Sequence, residues 1–170
     1  YALGREVLKL PRPTATWDLY SDSSYHLDNV SPGLRLAVVD GQVVFTAASN
    51  PTAADTEWQL LLNYRDYSYR LRNPASGLCL AQASVGTAPG TAVVAQTYTG
   101  LPQQDWFLVP DATAPSHLRL VNSYSGLALQ SQGNSPAAGA AAIVDTVTDG
   151  RAGQQWTTDF VHYYPKKGVA

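Results

Sequence analysis

The sequence predicts an all-β fold of the β-trefoil type, in which three four-stranded repeats close with pseudo-threefold symmetry. The first observation is a Gly-Leu-x-Leu pattern, which begins at Gly33, Gly77 and Gly126. The second is a tryptophan that ends each copy, at Trp58, Trp106 and Trp156. A spacing of about 44–50 residues between equivalent positions is typical of a repeat architecture. The third is that no segment shows a sustained helical period.

Each repeat is predicted to contain four short strands. In repeat one these are residues 25–28, 34–38, 43–45 and 58–60, with Asp40-Gly41 as a hairpin turn. The Ala-rich segment 137–142 is interrupted by Gly139 and follows Pro136, so we predict loop and strand there rather than helix. Four strands alone cannot bury a face, so the repeats are expected to close on each other and remove their sheet edges.

The repeats divide the chain into a domain and two flanking segments. They span about residues 20–62, 64–110 and 116–160, so one domain covers 20–160. Residues 1–19 are predicted to be a lead-in or linker with a short strand at 6–10, and Trp17 is the residue expected to anchor it. Residues 161–170 are predicted to be an exit linker. Tyr1 is not a start residue, and we therefore expect a piece of a longer protein.

Composition excludes several classes of protein. The 170 residues carry a formal net charge of -2 and only 14% charged residues, which argues against a nucleic-acid footprint or a polybasic membrane surface. No stretch approaches the roughly 20 apolar residues of a membrane span. Cys79 is the only cysteine, so no intrachain disulfide can form, and its apolar neighbours predict a buried thiol.

No arrangement typical of catalysis or metal binding is visible, and we expect neither an enzyme nor a cofactor. The three histidines, His26, His117 and His162, lack metal-ligand spacing. A small acidic group lacks the spacing of a calcium loop and is interpreted as a solvated face: Asp18, Asp22 and Asp28. Nucleophile-elbow, phosphate-loop and dinucleotide motifs are absent as well.

The repeated motif resembles the ricin B-type lectin β-trefoils, which include the carbohydrate-binding modules attached to microbial polysaccharide-degrading enzymes. The resemblance rests on Gly-Leu-x-Leu followed by Gln-x-Trp, and it covers about residues 20–160. Gln104 and Gln154 supply the glutamine in repeats two and three, whereas Thr56-Glu57-Trp58 replaces the motif in repeat one. In this family the glutamine braces loop backbone beside the tryptophan. The resemblance therefore implies structural roles for Gln104, Gln154, Trp58, Trp106 and Trp156.

The resemblance also implies one shallow sugar site in each repeat. An Asp after the second strand would bind sugar hydroxyls, an aromatic in or just beyond the third strand would stack on the ring, and a polar residue before Gln-x-Trp would assist. Here the Asp positions hold Ala37, Ala81 and Gln130. The galactose-type site is therefore incomplete in every repeat.

Repeat two retains the best set of sugar-binding groups. We predict that Tyr98 stacks on a sugar ring and that Gln96, Gln103 and Gln82 flank it with amides, although an ordinary surface position is an alternative for each. Repeat three offers Gln130, Gln132, Asn134, Asp145 and the turn residue Tyr124. Repeat one offers Asp40 and Gln42, whereas Phe45 is expected to point into the core.

Two hypotheses of different classes follow. The first is a non-catalytic carbohydrate-binding module, monomeric and extracellular, that holds a covalently linked catalytic domain near polysaccharide and gains affinity when several repeats engage. The second is a β-trefoil that has lost sugar binding and acts as a structural or protein-interaction domain, because fold does not determine function. Glycan retention, and its loss when Tyr98 and Gln96 are mutated, would distinguish them.

Overall fold

A computed structural model describes residues 23–47, 53–63, 65–112, 114 and 116–162. It confirms the all-β fold, with twelve strands in this part of the chain. The strands are β1 Ser24–Asn29, β2 Leu34–Val39, β3 Gln42–Ala47, β4 Trp58–Leu62, β5 Tyr69–Arg72, β6 Cys79–Gln82, β7 Val93–Gln96, β8 Trp106–Pro110, β9 Leu118–Asn122, β10 Ala128–Ser131, β11 Ala142–Asp145 and β12 Trp156–His162. Short 3₁₀ turns lie at Ala53–Thr56, Pro102–Gln104, Gln132–Asn134 and Ala152–Gln154.

Six of the strands form a closed antiparallel barrel. The order is β1, β4, β5, β8, β9 and β12, and β12 pairs with β1 again to close the ring. The first and fourth strands of each repeat pair at equivalent positions, so Trp58 lies opposite Tyr25, Trp106 opposite Tyr69, and Trp156 opposite Leu118. Closure leaves no free barrel edge, which confirms the prediction that the repeats close on each other.

The second and third strands of each repeat form a hairpin outside the barrel ring: β2 with β3, β6 with β7, and β10 with β11. Isolated bridges connect the hairpins, between Val44 and Ala141 and between Ala92 and Ile143. This arrangement of a six-stranded barrel and three hairpins is the predicted β-trefoil.

The tryptophans tie each fourth strand to the hairpin of its own repeat. All three are fully buried. Their Nε1 atoms donate to the carbonyl oxygens of second-strand leucines, over distances of 3.0, 2.9 and 3.3 Å for Trp58 to Leu36, Trp106 to Leu80 and Trp156 to Leu129. A buried indole needs a partner for its N–H, and the same carbonyl supplies it in every repeat. Phe45 is also buried and stacks on Trp156 with ring centroids 5.7 Å apart.

An asparagine side chain stabilises the turn at the start of each Gly-Leu-x-Leu pattern. The side-chain oxygen of Asn29 accepts from the backbone N–H groups of Gly33 and Leu34, at 2.9 and 2.8 Å. The equivalent oxygens of Asn73 and Asn122 accept from backbone N–H groups in their own turns. The turn glycines have φ values of 87°, 74° and 73°, in the left-handed region that favours glycine: Gly33, Gly77 and Gly126.

Several strand boundaries differ from the sequence-based prediction by one or two residues; in repeat one, for example, β3 spans Gln42–Ala47 rather than 43–45. Strand β12 continues to His162, two residues beyond the predicted end of repeat three, because it pairs with β1 as far as Ser24. The predicted strand at 6–10, the Trp17 anchor, Asp18, Asp22 and residues 163–170 of the exit linker lie outside the described residues. No helix in the described part of the chain is long and apolar enough to cross a membrane.

Candidate functional site

An open cleft of about 360 Å³ lies where repeat two meets repeat one. The end of β4 and the following turn form one side, and β5 and the loop after β7 form the other. We call it the Tyr98 cleft, and its lining consists of Leu61, Leu62, Asn63, Arg65, Arg70, Tyr98, Gly100 and Asp105. The cleft therefore combines apolar leucine side chains, two guanidinium groups, a carboxylate and one aromatic ring.

Tyr98 is held in place by two charged neighbours. Its hydroxyl donates to Oδ1 of Asp105 at 3.1 Å, and Cζ of Arg70 lies over its ring, 4.4 Å from the centroid. A guanidinium in this position is attracted by the electron-rich ring face. Burial of the hydroxyl raises the pKa of Tyr98, and the negative charge of Asp105 adds to that effect. Tyr98 is therefore a half-buried, oriented donor rather than a freely rotating surface tyrosine.

Asp105 occupies the middle of the Gln-x-Trp motif, and its side chain lines the cleft although the residue is only 7% exposed. Burial raises the pKa of its carboxyl group because removal from water disfavours the charged form. The hydrogen bond from Tyr98 and the charge of Arg70 act in the opposite direction. The carboxylate is thus a buried acceptor that fixes the tyrosine.

Gln104 positions the loop that carries Tyr98. Its side-chain oxygen accepts from the backbone N–H of Thr99 at 2.8 Å and of Leu101 at 3.4 Å. Its side-chain nitrogen donates to the carbonyl of Thr97 at 2.9 Å. These contacts on both sides of Tyr98 are the loop-bracing geometry that the family resemblance implies.

The structure does not bring the three predicted flanking glutamines into the Tyr98 cleft. Gln82 has no exposed surface, and its amide nitrogen donates to the carbonyls of Ser84 and Gly86 at 2.7 and 2.6 Å, within its own hairpin loop. Gln103 is buried, and its side-chain oxygen has no hydrogen-bond partner within the described residues. Gln96 is half-buried and accepts from Gln104 at 3.3 Å. Only Gln96 keeps substantial exposed surface for a ligand.

The polar groups of repeat three bind one another. The side-chain oxygen of Gln130 accepts from Gln154 at 2.8 Å and from Arg151 at 3.1 Å. Gln154 also donates to the carbonyl of Thr146 at 2.9 Å, so it braces its loop as Gln104 does. Arg151 lies 3.7 Å from Asp145. Gln130 is therefore a buried acceptor at the position where the resemblance implies a sugar-binding Asp.

The remaining predicted candidates of repeat three lie on the surface. Gln132, Asn134 and Tyr124 are exposed, and Tyr124 is 44% exposed. None of the three lines the Tyr98 cleft.

Repeat one has no equivalent cluster among its described residues. Ala37, at one Asp position, is fully buried, as is Ala81 at the same position of repeat two. Asp40 and Gln42 are exposed near the hairpin turn, and Phe45 lies in the core. The hairpins of repeats one and two thus have small buried side chains at the positions where the resemblance implies a carboxylate.

Two further titratable side chains, His26 and Asp28, contact neighbours outside the Tyr98 cleft. His26 Nδ1 lies 3.1 Å from the hydroxyl of Thr56, which takes the place of the motif glutamine. Asp28 forms an ion pair with Arg35 at 2.7 Å. Within the described residues, no group of three or more His, Cys, Asp or Glu side chains could hold a metal ion.

Sequence reasoning did not find Arg65, Arg70 and Asp105. Arg70 alternates with buried residues in β5, which indicates only an outward position. Asp105 is the variable residue of Gln-x-Trp, where any polar side chain is unremarkable. No local signal shows that these residues meet Tyr98, because their proximity depends on how β4, β5 and the loop after β7 pack.

The fold and the motif contacts define a β-trefoil of the lectin type. A family model described as ricin-type β-trefoil lectin domain-like matches residues 13–96 and 54–145, more than half of the chain. The protein therefore belongs to this family. No curated protein sequence matches the chain.

Solved structures show the same fold. A designed threefold-symmetric protein, ThreeFoil, superposes with a TM-score of 0.72 at 27% identity, over 80% of this chain and 97% of its own. A ricin B-like lectin from Macrolepiota procera, solved with lactose, gives 0.69 at 20% identity, over 82% and 96%. An exo-β-1,3-galactanase from Clostridium thermocellum gives 0.73 at 19% identity. Here 82% of this chain matches only 30% of the galactanase chain, so the chain spans less than a third of that enzyme.

Proposed function

We propose that this chain is a non-catalytic carbohydrate-binding module whose working site is the Tyr98 cleft of repeat two. The observation that carries the proposal is an oriented tyrosine beside an open cleft of about 360 Å³, within the range of roughly 300–1,000 Å³ of small-ligand sites. The family membership supports glycan as the ligand class.

The chemistry of the cleft suits a pyranose. Leu61 and Leu62 supply apolar surface for C–H faces, and Asn63 and Arg70 supply polar groups for hydroxyls. Arg70 covers one face of Tyr98. A sugar ring would therefore contact the remaining surface of the tyrosine.

The family membership also suggests a wider setting for the proposed module. The proposed module is monomeric and extracellular, and it holds a covalently linked polysaccharide-active enzyme close to its substrate. The match of this fold to a part of a galactanase supports such an arrangement. A single shallow cleft gives weak binding, so retention on a polymer would depend on repeated engagement.

A glycan array and a pull-down on insoluble polysaccharides test the proposal. Tyr98→Ala should abolish retention, whereas Tyr124→Ala, which removes an exposed tyrosine outside the cleft, should leave it unchanged. Retention that survives Tyr98→Ala would place the site in another repeat. A folded protein that retains no glycan would refute the proposal.

One observation favours a second function. Two of the three Asp positions hold fully buried alanines, and the third holds Gln130, whose oxygen is occupied by Gln154 and Arg151. A trefoil that has lost sugar binding and serves as a structural or protein-interaction domain would have these features. Absence of glycan retention in the wild-type protein would support this alternative.

A further inference from the structure

The two arginines of the Tyr98 cleft differ from the other arginines that the structure describes. Arg35, Arg72, Arg119 and Arg151 all donate a side-chain hydrogen bond to a carboxylate or amide oxygen. Within the described residues, the guanidinium groups of Arg65 and Arg70 have no such acceptor, and both line the same cleft. A guanidinium presents five N–H donors, so this pair offers unused capacity for an oxygen-rich anion.

Arg70 is the better placed of the two. It is half-buried, and its contact with the Tyr98 ring orients it before any ligand arrives. When Cζ lies over an aromatic ring, the face of the guanidinium is covered, whereas the N–H donors at its edge stay available. Such an edge matches the two oxygens of a carboxylate. Arg65 is exposed on the adjoining turn and can supply a second positive charge.

The acidic groups near the cleft form no ion pair with these two arginines in the described part of the chain, although the charges of Arg70 and Asp105 act on each other. Asp105 is nearly buried, and Oδ1 of its carboxylate accepts from the Tyr98 hydroxyl. Asp66, in the same turn as Arg65, accepts from the backbone N–H and hydroxyl of Ser68 at 3.0 and 2.7 Å. Neither forms an ion pair with Arg65 or Arg70 within the described residues. An incoming carboxylate therefore meets two guanidinium groups whose side-chain donors have no acceptor among the described residues, and the nearby Asp105 carboxylate is hydrogen-bonded to Tyr98.

We propose that the Tyr98 cleft selects a carboxylate-bearing sugar residue, which Arg70 binds through its carboxylate and Arg65 supports. The inference rests on the proposed function, because it names the ligand class of the same site. The volume of about 360 Å³ and the open shape suit one acidic sugar unit whose neighbours in the chain extend into solvent.

The test is titration calorimetry of the whole chain with acidic glycans and their neutral counterparts. Oligogalacturonate is compared with its methyl ester, and sialyllactose with the methyl ester of its sialic acid, so that each pair differs chiefly in the negative charge. The two pairs distinguish a uronate from a sialic acid as the source of the carboxylate. Salt of about 0.15 M reduces non-specific attraction between exposed charges. At least one acidic glycan is expected to bind about tenfold or more tightly than its neutral form.

Arg70→Gln should weaken binding of the acidic glycan by about 10- to 100-fold and remove the preference over the neutral form. Arg72→Gln is the matched control, since it removes the same charge from the same face of β5 outside the cleft. It should change affinity less than about twofold, because Arg72 is engaged with Gln59 and does not line the cleft, so its charge is screened from the ligand by salt and water. Urea unfolding of both variants checks that each remains folded.

The possible failures are distinguishable. Equal binding of acidic and neutral glycans, dependent on Tyr98, would overturn the carboxylate inference and leave the proposed function intact. Equal losses in Arg70→Gln and Arg72→Gln would show non-specific charge attraction and overturn it as well. Absence of binding to acidic and neutral glycans alike would overturn both proposals.

Discussion

Adjacent glutamines at 103 and 104 provide a sharp test of how the Gln-x-Trp motif stabilises the fold. Both are buried, but only Gln104 has both ends of its amide hydrogen-bonded. Gln104→Ala would leave the N–H of Thr99 and the carbonyl of Thr97 without their partner. Thr97 and Thr99 are exposed, so water can partly replace the amide. At about 1 kcal/mol for each lost bond and a further contribution from the cavity, the expected loss of unfolding free energy is about 2–3 kcal/mol.

Gln103→Ala is the matched control. It removes the same atoms one residue earlier, but its side-chain oxygen has no partner within the described residues, so its deletion also removes an unsatisfied buried group. The expected loss is below about 1 kcal/mol. Asn122 donates to the backbone carbonyl of residue 103, and that bond survives the substitution.

Urea unfolding followed by tryptophan fluorescence measures both variants, with unfolding slopes compared to exclude changes in the unfolded state. Equal losses for the two variants would refute the argument that hydrogen bonding, rather than side-chain volume, gives the motif glutamine its role. A loss below 1 kcal/mol for Gln104→Ala would refute it too.

Three further predictions concern buried titratable groups. Asp111→Ala should cost about 3 kcal/mol because it leaves Arg119 buried beside one exposed partner, whereas Asp149→Ala, at 74% exposure, should cost less than about 1 kcal/mol by urea unfolding. Equal costs would contradict this. Burial raises the pKa of Asp105 in the folded protein, so folding favours the protonated carboxyl group. This contribution to the free energy of unfolding is complete below pH about 3.8 and is lost as the pH rises through the folded pKa. Asp105→Asn should therefore raise the free energy of unfolding relative to wild type at pH 7, and this gain should shrink as the pH falls. Urea unfolding at several pH values measures it, and a gain independent of pH would contradict the raised pKa of Asp105. Cys79 is 1% exposed and burial raises its pKa, so iodoacetamide should label it in urea but not in the native protein. Rapid native labelling would show that the hairpin opens.

The threefold architecture could be predicted from the sequence because its determinants are local and repeated. Apolar alternation, left-handed turn glycines and a terminal tryptophan recur in every unit, and each has a physical requirement that few other residues meet. The same logic covers Gln104 and Gln154, whose contacts lie within their own repeats.

The composition of the Tyr98 cleft depended on tertiary structure. The sequence predicts Tyr98 as a candidate, but none of its predicted glutamine neighbours lines the cleft, and its actual neighbours are Arg70 of β5 and Asp105. Leu61 and Tyr98 belong to different repeats, and their side chains line one cleft only because β4 pairs with β5 across the repeat boundary.

The sequence by itself thus determined the repeats, the core and the loop-bracing glutamines, because burial and turn geometry act on each repeat separately. It did not determine which polar side chains surround Tyr98 or which glutamine of a pair finds partners. Those outcomes depend on side-chain orientations and on contacts between residues far apart in the chain, which arise only when the barrel closes.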